Sequence, residues 1–519
     1  MSMTQSGATD SPFQTSRPLS AIVLAAGLGT RMKSAIPKVA HVLAGRPMIG
    51  WVIHALRPLG CDRIIVVVGY GKDMVISLTS EHLPYGAEVA FVEQGEPLGT
   101  GHAAKVAMEW LDENTEDLGG HVLVVNGDAP LITAETLAEL VVYQEESGAG
   151  GTILTANLDD PSGYGRVVRG EDGRVLRIVE DRDCGPNEAA ITEVNAGFYC
   201  FNRAELAEAL QNLSKDNAQG EYYLPDVVEV LVSRGREIQA IDAPPEEVMG
   251  VNTRAELAET ERILRERINR GHMSRGVTLV DPSTTFIGAE VSIGRDTRIL
   301  PGTLIEGETS IGEGCEIGPY TRIVDSVMGS GCTVTYAVLR EAQLGNGVTV
   351  GPFAYLRSGS RLADGVHIGT SVETKNATIG EHTKVPHLSY IGDAEVGSRV
   401  NIGAGSITCN FDGERKHRTI IEDDARIGSD TMLVAPVRIG KGAYTAAGSA
   451  ITVDVPPGDL GVARQRQRNI SGWVARRRAG TATDSNVGDD EYENSIAQEL
   501  HEGTRPGQGG EHEEKRGDG

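Results

Sequence analysis

The chain has 519 residues, 65 of them glycine, with a formal net charge of −25 and only 4% aromatic residues. That length exceeds one ordinary hydrophobic core, so two or more domains are expected. The negative charge argues against a nucleic-acid binder of the usual basic kind, so an anionic substrate must be held by local cations against the global field.

The first residues, 1–18, carry no apolar leader core and are expected to be disordered, and no stretch is long and apolar enough to span a membrane. From Ser20 to about Asn252 the pattern is strand, turn, helix, repeated. The runs "AIVLAAG", "RIIVVVGY" and "HVLVVNGD" are β-rich and each reaches a glycine, as buried parallel strands do. Helix-favouring stretches such as "MIGWVIHALRPLG" lie between them. The pattern predicts an α/β domain with a mostly parallel sheet, whose ligands belong at the carboxyl ends of the strands. Residues 254–271 are charged, with Leu257, Leu264 and Ile268 as a narrow apolar stripe, and read as a connecting helix.

Beyond Asp281 the period changes. Ile287, Ile293, Ile299, Ile305, Ile311, Ile317 and Ile323 recur every six residues, and glycine follows four of them. The frame slips near "VDSVMGSGCTVTYAVLREAQ", resumes at Leu344, Val350, Leu356, Leu362 and Ile368, and returns at Ile379 and again at Ile421. A period of six is neither helical nor a simple alternation; it is the hexapeptide signature of a parallel β-helix, in which each aliphatic residue stacks on its counterpart in the next coil. The polar, basic stretch "CNFDGERKHRT" (409–419) should protrude as a loop. Residues 479–519 hold 11 acidic and 3 basic side chains and are expected to be a disordered acidic tail. The six cysteines form no CxxC pair, which fits reduced thiols in a cytoplasm.

Chemistry first appears in "LAAGLGTRMKSAIPK" (24–38). A glycine turn after a strand lets backbone N–H groups approach phosphate oxygens, with a helix N-terminus adding favourable potential. Met32 stands where the third glycine of a dinucleotide fingerprint would be, and no Gly-Lys-Ser/Thr follows, so neither a Rossmann fingerprint nor a P-loop fits. Arg31 and Lys38 can neutralise phosphates lying over the glycines.

This stretch, with "EQGEPLGTGHA" (93–103), "NGDAPL" (126–131), "GYGRVVR" (163–169), "IVE" (178–180), "EVNAGFY" (193–199) and "GVNTR" (250–254), resembles the sugar-phosphate nucleotidyltransferases. The whole order, over about residues 19–475, resembles the bacterial bifunctional family that acetylates glucosamine 1-phosphate and then uridylylates the product to UDP-N-acetylglucosamine. The resemblance implies a Rossmann-like α/β nucleotidyltransferase domain (19–253), a linker helix (254–271) and a left-handed parallel β-helix acetyltransferase domain (272–478). It implies that Leu24, Ala26 and Gly27 line the nucleotide, that Arg31 and Lys38 hold its phosphates, and that Gln94, Gly99 and Thr100 read the uracil edge. Gly165, Glu180, Asn195 and Asn252 would hold the sugar phosphate, and Asp128 and Asn252 the Mg²⁺. Asp128 in a lone Gly-Asp, at the end of an apolar strand, reads by default as a cap of the next turn; the companion motifs shift the reading to the metal.

For the second domain the resemblance implies that Arg357, Lys375, Tyr390 and Asn401 bind glucosamine 1-phosphate and that His387, in "PHLSY", is the general base. Ala404, Asn410, Phe411, Ser429, Ala447 and Arg464 would contact acetyl-CoA. Phe411 stands where the family has tyrosine, so a hydroxyl contact is absent, and Lys416 matches a lysine that reaches across subunits. An amine attacking a thioester must lose a proton, which suits a histidine; His367, His382 and His417 are read as structural. The implied partners are UTP, acetyl-CoA, glucosamine 1-phosphate and N-acetylglucosamine 1-phosphate, in a homotrimer without nucleic acid or membrane. The alternatives are a nucleotidyltransferase with a non-catalytic β-helix, or a scaffold that has lost both activities.

Overall fold

The computed structural model describes residues 17–83, 87–115 and 119–478. The N-terminal segment through residue 16 and the acidic tail 479–519 lie outside the described residues. The chain divides into two compact units, Met1–Val462 and Ala463–Gly519.

The first strands are β1 (Leu19–Ala25), β2 (Arg63–Val68), β3 (Glu88–Glu93), β4 (His121–Asn126) and β5 (Gly151–Asn157). A hairpin of β6 (Arg166–Arg169) and β7 (Val175–Val179) precedes β8 (Glu193–Asn202) and β9 (Ile238–Asp242). The sheet order is β9-β5-β8-β4-β1-β2-β3, and only β8 runs antiparallel to its neighbours along that path. Alternate residues of β1 feed opposite cores: Ala21 and Val23 pack on one face, Ile22 on the other. Helices cover both faces, so both sets are apolar, and the strands read as continuous hydrophobic runs rather than alternations. The "MIGWVIHALRPLG" segment forms a helix over Met48–Leu56 and a 3₁₀ turn, closed by Gly60 at φ 67°.

The expected connecting helix, α1, runs Arg254–Ser274. Thr253 caps it in a capping box with Glu256, whose carboxylate also accepts from the Asn252 N–H at 2.6 Å. The helix is no free tether. Leu264 is buried against Leu43, Met48, Leu131 and Val251, and Ile268 packs on the β-helix core. Arg46, almost wholly buried, donates to Glu290 of the β-helix at 2.6 Å.

In the β-helix, short strands place one aliphatic residue inward and stack it eighteen positions on: Ile287 on Ile305, Ile293 on Ile311, Ile299 on Ile317. All of these are buried in one continuous core. The frame slip does not break the stacks, because Ile317 meets Val334 and Ile323 meets Leu339. The coils there are one and two residues shorter, and the corners absorb the loss with Asp325, Tyr336 and Glu341 at positive φ. The 409–419 stretch lengthens one coil so that Val396 pairs with Ile421. It protrudes as expected, with Phe411 bridging Lys416 and residues 411–416 exposed.

In the second unit the described part ends in a helix, Trp473–Arg478, with the Arg477 guanidinium 5.2 Å from the Trp473 ring centroid.

Candidate functional site

Two cavities open at the carboxyl ends of β1 and β4. One, of about 390 Å³, is lined by Leu24, Ala26, Gly27, Lys38, Gln94, Gly99 and Thr100, seven of the eight residues expected at the nucleotide. The other, of about 340 Å³, is lined by Gly165, Glu180, Asn195 and Asn252, all four expected at the sugar phosphate, together with Arg31. Leu24, Thr100, Asn126 and Asp128 line both, so the cavities are adjoining lobes. Asn126 was not singled out from the sequence, although "NGD" contains it.

Local folding sets each group. Gly127 donates to the Leu24 carbonyl at 3.0 Å, and Val251 donates to the Asp128 carbonyl at 2.9 Å, which draws Asp128 and Asn252 together across 124 residues of chain. The capping box fixes Asn252 from the other side. Asp128 is not a helix cap: Thr133 caps the next helix by accepting from Thr136. The Lys38 ammonium contacts both Asp128 Oδ2 and Asn252 Oδ1, the latter at 3.0 Å, while Arg31 donates to the same Asn252 oxygen at 2.8 Å. Two hard oxygens thus converge on one positive charge.

One expectation is corrected. The glycine turn leads not into a full helix but into a three-residue 3₁₀ turn, Thr30–Met32, bracketed by Gly29 and Lys33 in left-handed conformations. Pro37 closes the segment, so this turn contributes no helix macrodipole; the helix whose N-terminus reaches the lobe is Thr100–Asn114, capped at Gly99, and Arg31 and Lys38 add cationic side chains. A Cβ on Gly27 would meet nothing within 4 Å, so that backbone lies open to a ligand.

Gly99 has φ +104°, and a Cβ there would lie 2.4 Å from the Tyr222 carbonyl oxygen. Its own carbonyl accepts from Gln94 Nε2 at 2.9 Å, which fixes that amide and leaves its oxygen as an acceptor. In the second lobe a bulge in β8 between Asn195 and Tyr199 turns Asn195 inward, where its amide donates to the Tyr199 hydroxyl at 2.6 Å. Burial pushes the Glu180 carboxyl up to about 7, and the charges of Asp226, Asp183 and Asp181 add to this against Arg166.

The second set of residues lies on the β-helix. His387 ends the strand Lys384–His387, opposite Thr370, with its side chain exposed. Leu388 beside it is 66% exposed at φ 47°. Ala404, Ser429 and Ala447 follow strands that stack in register, so they form a column of small residues down one corner, continuing from His387. Arg357 is not a free cation: it pairs with Glu373 at 2.7 Å, a partner the sequence reading missed although "VETK" holds it. The proximity of Lys416 of the same chain, and its positive charge, hold the Lys375 ammonium below the usual lysine range. Asn410 donates to the Tyr390 hydroxyl at 3.4 Å and to Asp393 at 2.5 Å. Asn401 is half-buried, opposite Lys384. Phe411 is 60% exposed. Arg464 belongs to the second unit, where it is exposed. Of the histidines read as structural, His367 pairs with Thr349 at 2.6 Å and His417 with Asp412 at 2.6 Å, while His382 is exposed at φ 57°.

Known families match this architecture. The nucleotidyl transferase family matches residues 20–245, the bacterial transferase hexapeptide family residues 290–325, and the GlmU-like C-terminal hexapeptide family residues 316–401. The chain is 50% identical to the bifunctional protein GlmU of Caldanaerobacter subterraneus, over 88% of its own length and 98% of the relative's. It is 51% identical to that of a Geobacillus species over 88% and 97%, and 48% identical to that of Streptomyces avermitilis over 90% and 96%. At this identity over nearly the whole of each relative, the chain belongs to the bifunctional GlmU family.

Proposed function

We propose how the two sites divide the work of this enzyme. The chain is a glucosamine-1-phosphate N-acetyltransferase and an N-acetylglucosamine-1-phosphate uridylyltransferase of UDP-N-acetylglucosamine synthesis, which feeds peptidoglycan and other envelope precursors. In our reading residues 19–253 and 272–478 are the two catalytic domains, with 254–271 between them. UTP lies in the first lobe, its uracil at Gln94, Gly99 and Thr100 and its phosphates at Arg31 and Lys38. The sugar phosphate lies in the second lobe, at Gly165, Glu180, Asn195 and Asn252. The observation that carries this is the shared wall of the lobes, where Asp128 and the Arg31–Lys38 cations meet.

There the sugar phosphate attacks the α-phosphorus in line and pyrophosphate leaves, a transfer that needs positioning and charge neutralisation more than covalent help. Arg31 and Lys38 offset the repulsion between two anions. Asp128 and Asn252 would hold Mg²⁺; their oxygens already converge on the Lys38 ammonium, and hard oxygen donors suit that ion. When bound it would supply further charge neutralisation at those phosphates.

In the second domain Arg357, Lys375, Tyr390 and Asn401 bind glucosamine 1-phosphate. Ala404, Asn410, Phe411, Ser429, Ala447 and Arg464 contact acetyl-CoA, the acetyl donor. His387 takes the proton from the attacking amine. The exposure of His387, Leu388 and Phe411 in one chain supports a homotrimer in which neighbouring copies complete this site. Six free cysteines support a cytoplasmic location, and among the described residues no helix is long and apolar enough to cross a membrane. Mass spectrometry of products from UTP, acetyl-CoA and glucosamine 1-phosphate with Mg²⁺ tests the assignment. UDP-N-acetylglucosamine with free CoA is expected; UDP-sugar formed only when N-acetylglucosamine 1-phosphate is supplied would remove the second activity.

A further inference from the structure

One corner of the β-helix carries a polar ladder that the sequence reading passed over. Ser358 donates to Glu341 at 2.7 Å, and the Asn376 backbone hangs from the Ser358 carbonyl at 3.0 Å. The Asn376 amide donates to Asp393 Oδ1 at 2.6 Å, and the Asn410 amide donates to Asp393 Oδ2 at 2.5 Å. Asp393 is 9% exposed and sits at φ 47°, a conformation that Asp and Asn tolerate best among non-glycine residues. Burial alone would raise its pKa. The hydrogen bonds from Asn376 and Asn410, then the charges of Lys416 and Lys375, outweigh this and hold it below the usual carboxylate range.

The surroundings give that charge a task. The positive charges of Lys416 and then Arg357 lie near enough to Lys375 to hold its ammonium below the usual lysine range. Glu373 is already paired with Arg357. Asp393 is therefore the carboxylate placed to compensate the two lysines. It also decides how Asn410 faces. Both N–H groups of that amide are engaged, one by Asp393 and one by the Tyr390 hydroxyl, so its oxygen is the end turned away from the ladder.

We propose that Asp393 is a positioning residue of the acetyl-transfer site: its buried carboxylate orients the Asn410 amide and sets a negative charge against Lys375 and Lys416 beside the sugar phosphate. This rests on the reading of Arg357, Lys375 and Asn410 given above. The competing account is a strut that only ties coils of the β-helix together.

Asp393→Asn separates the two accounts. It keeps volume and suits the left-handed backbone, but it removes the charge and accepts on one side only, so Asn376 or Asn410 must turn over. The KM for glucosamine 1-phosphate should rise about tenfold or more, the weight of one charge-assisted hydrogen bond, with a much smaller change in kcat. The thermal midpoint and uridylyl transfer from supplied N-acetylglucosamine 1-phosphate should hold. Lys375→Ala is the companion. If it raises that KM and Asp393→Asn does not, or if Asp393→Asn lowers only the thermal midpoint, the proposal is overturned while the site stands. If Lys375→Ala also leaves KM unchanged, the site reading fails and the proposal with it. Should Asp393→Asn not fold, Asp393→Gly, which the positive φ admits, carries the same test. Failure of both to fold would leave the carboxylate a strut and overturn the proposal.

Discussion

The two sites are built in opposite ways. The first is a crevice: two adjoining lobes at the carboxyl ends of central strands, open to solvent at Gly27, Arg31 and Thr100 but with Asn195 buried and Lys38 shielded. The second is a surface: His387, Leu388 and Phe411 stand exposed along a β-helix corner. A twisted sheet covered on both faces makes a crevice where its strands end. A β-helix is convex, and its inward positions are filled by stacked aliphatic residues, so it can offer substrates only its outside. Phosphoryl transfer between two anions gains from a crevice that gathers cations around both.

The sharpest break of that comparison is at the base. His387→Ala should lower acetyl transfer by about 10²–10⁴-fold, the usual worth of a positioned general base. Uridylyl transfer with N-acetylglucosamine 1-phosphate supplied should hardly change. Near-full thiol release from acetyl-CoA by the variant would give the proton to another residue.

Asp128→Asn does the reverse. It removes one charge at nearly constant volume, and uridylyl transfer should fall by about 10²–10³-fold, as when a charge-stabilising group is lost from an enclosed site. Acetyl transfer should stay close to normal. Equal loss in both assays would point to a fold defect.

Dilution tests the difference in architecture directly. At concentrations where sedimentation shows single chains, acetyl specific activity should drop by about tenfold or more. The uridylyl crevice should keep its rate. Parallel curves for the two activities would mean that one chain completes both sites or neither.

The smallest effect concerns the proton on Glu180. Its carboxyl is raised from 4.5 to about 7 in the folded chain, so the folded state binds that proton more tightly than the unfolded state. The stabilisation is complete below pH about 4.5 and is lost as pH rises through about 7. Glutamine cannot ionise there. Glu180→Gln should therefore be more stable than wild type at pH 8, by about 1–3 kcal/mol, with the gain fading as pH falls from about 7 to about 4.5. Thermal midpoints across that range check the sign; a constant difference would assign the effect to packing.

Much of this was legible in the sequence. The six-residue period at Ile287–Ile323 dictated stacked coils, because an inward side chain must recur wherever the chain turns a corner, and the structure stacks those residues. The apolar runs of β1, β2 and β4 dictated buried parallel strands for the same kind of reason: local composition reports local burial. Residue types at quoted motifs also placed the lobe linings, since backbone ends of strands gather by topology. Only tertiary structure decided the partners. That Lys38 would meet both Asp128 and Asn252, that the capping box of α1 would hold Asn252, and that the same helix would bury Leu264 between domains are contacts across long stretches of chain. The pairing of Arg357 with Glu373 and of Asp393 with two amides likewise follows from which coil lies on which. Periodicity fixes the inward face because burial is repeated at every coil. The outward face obeys no such repeat, and its charges acquire meaning only when the coils are stacked.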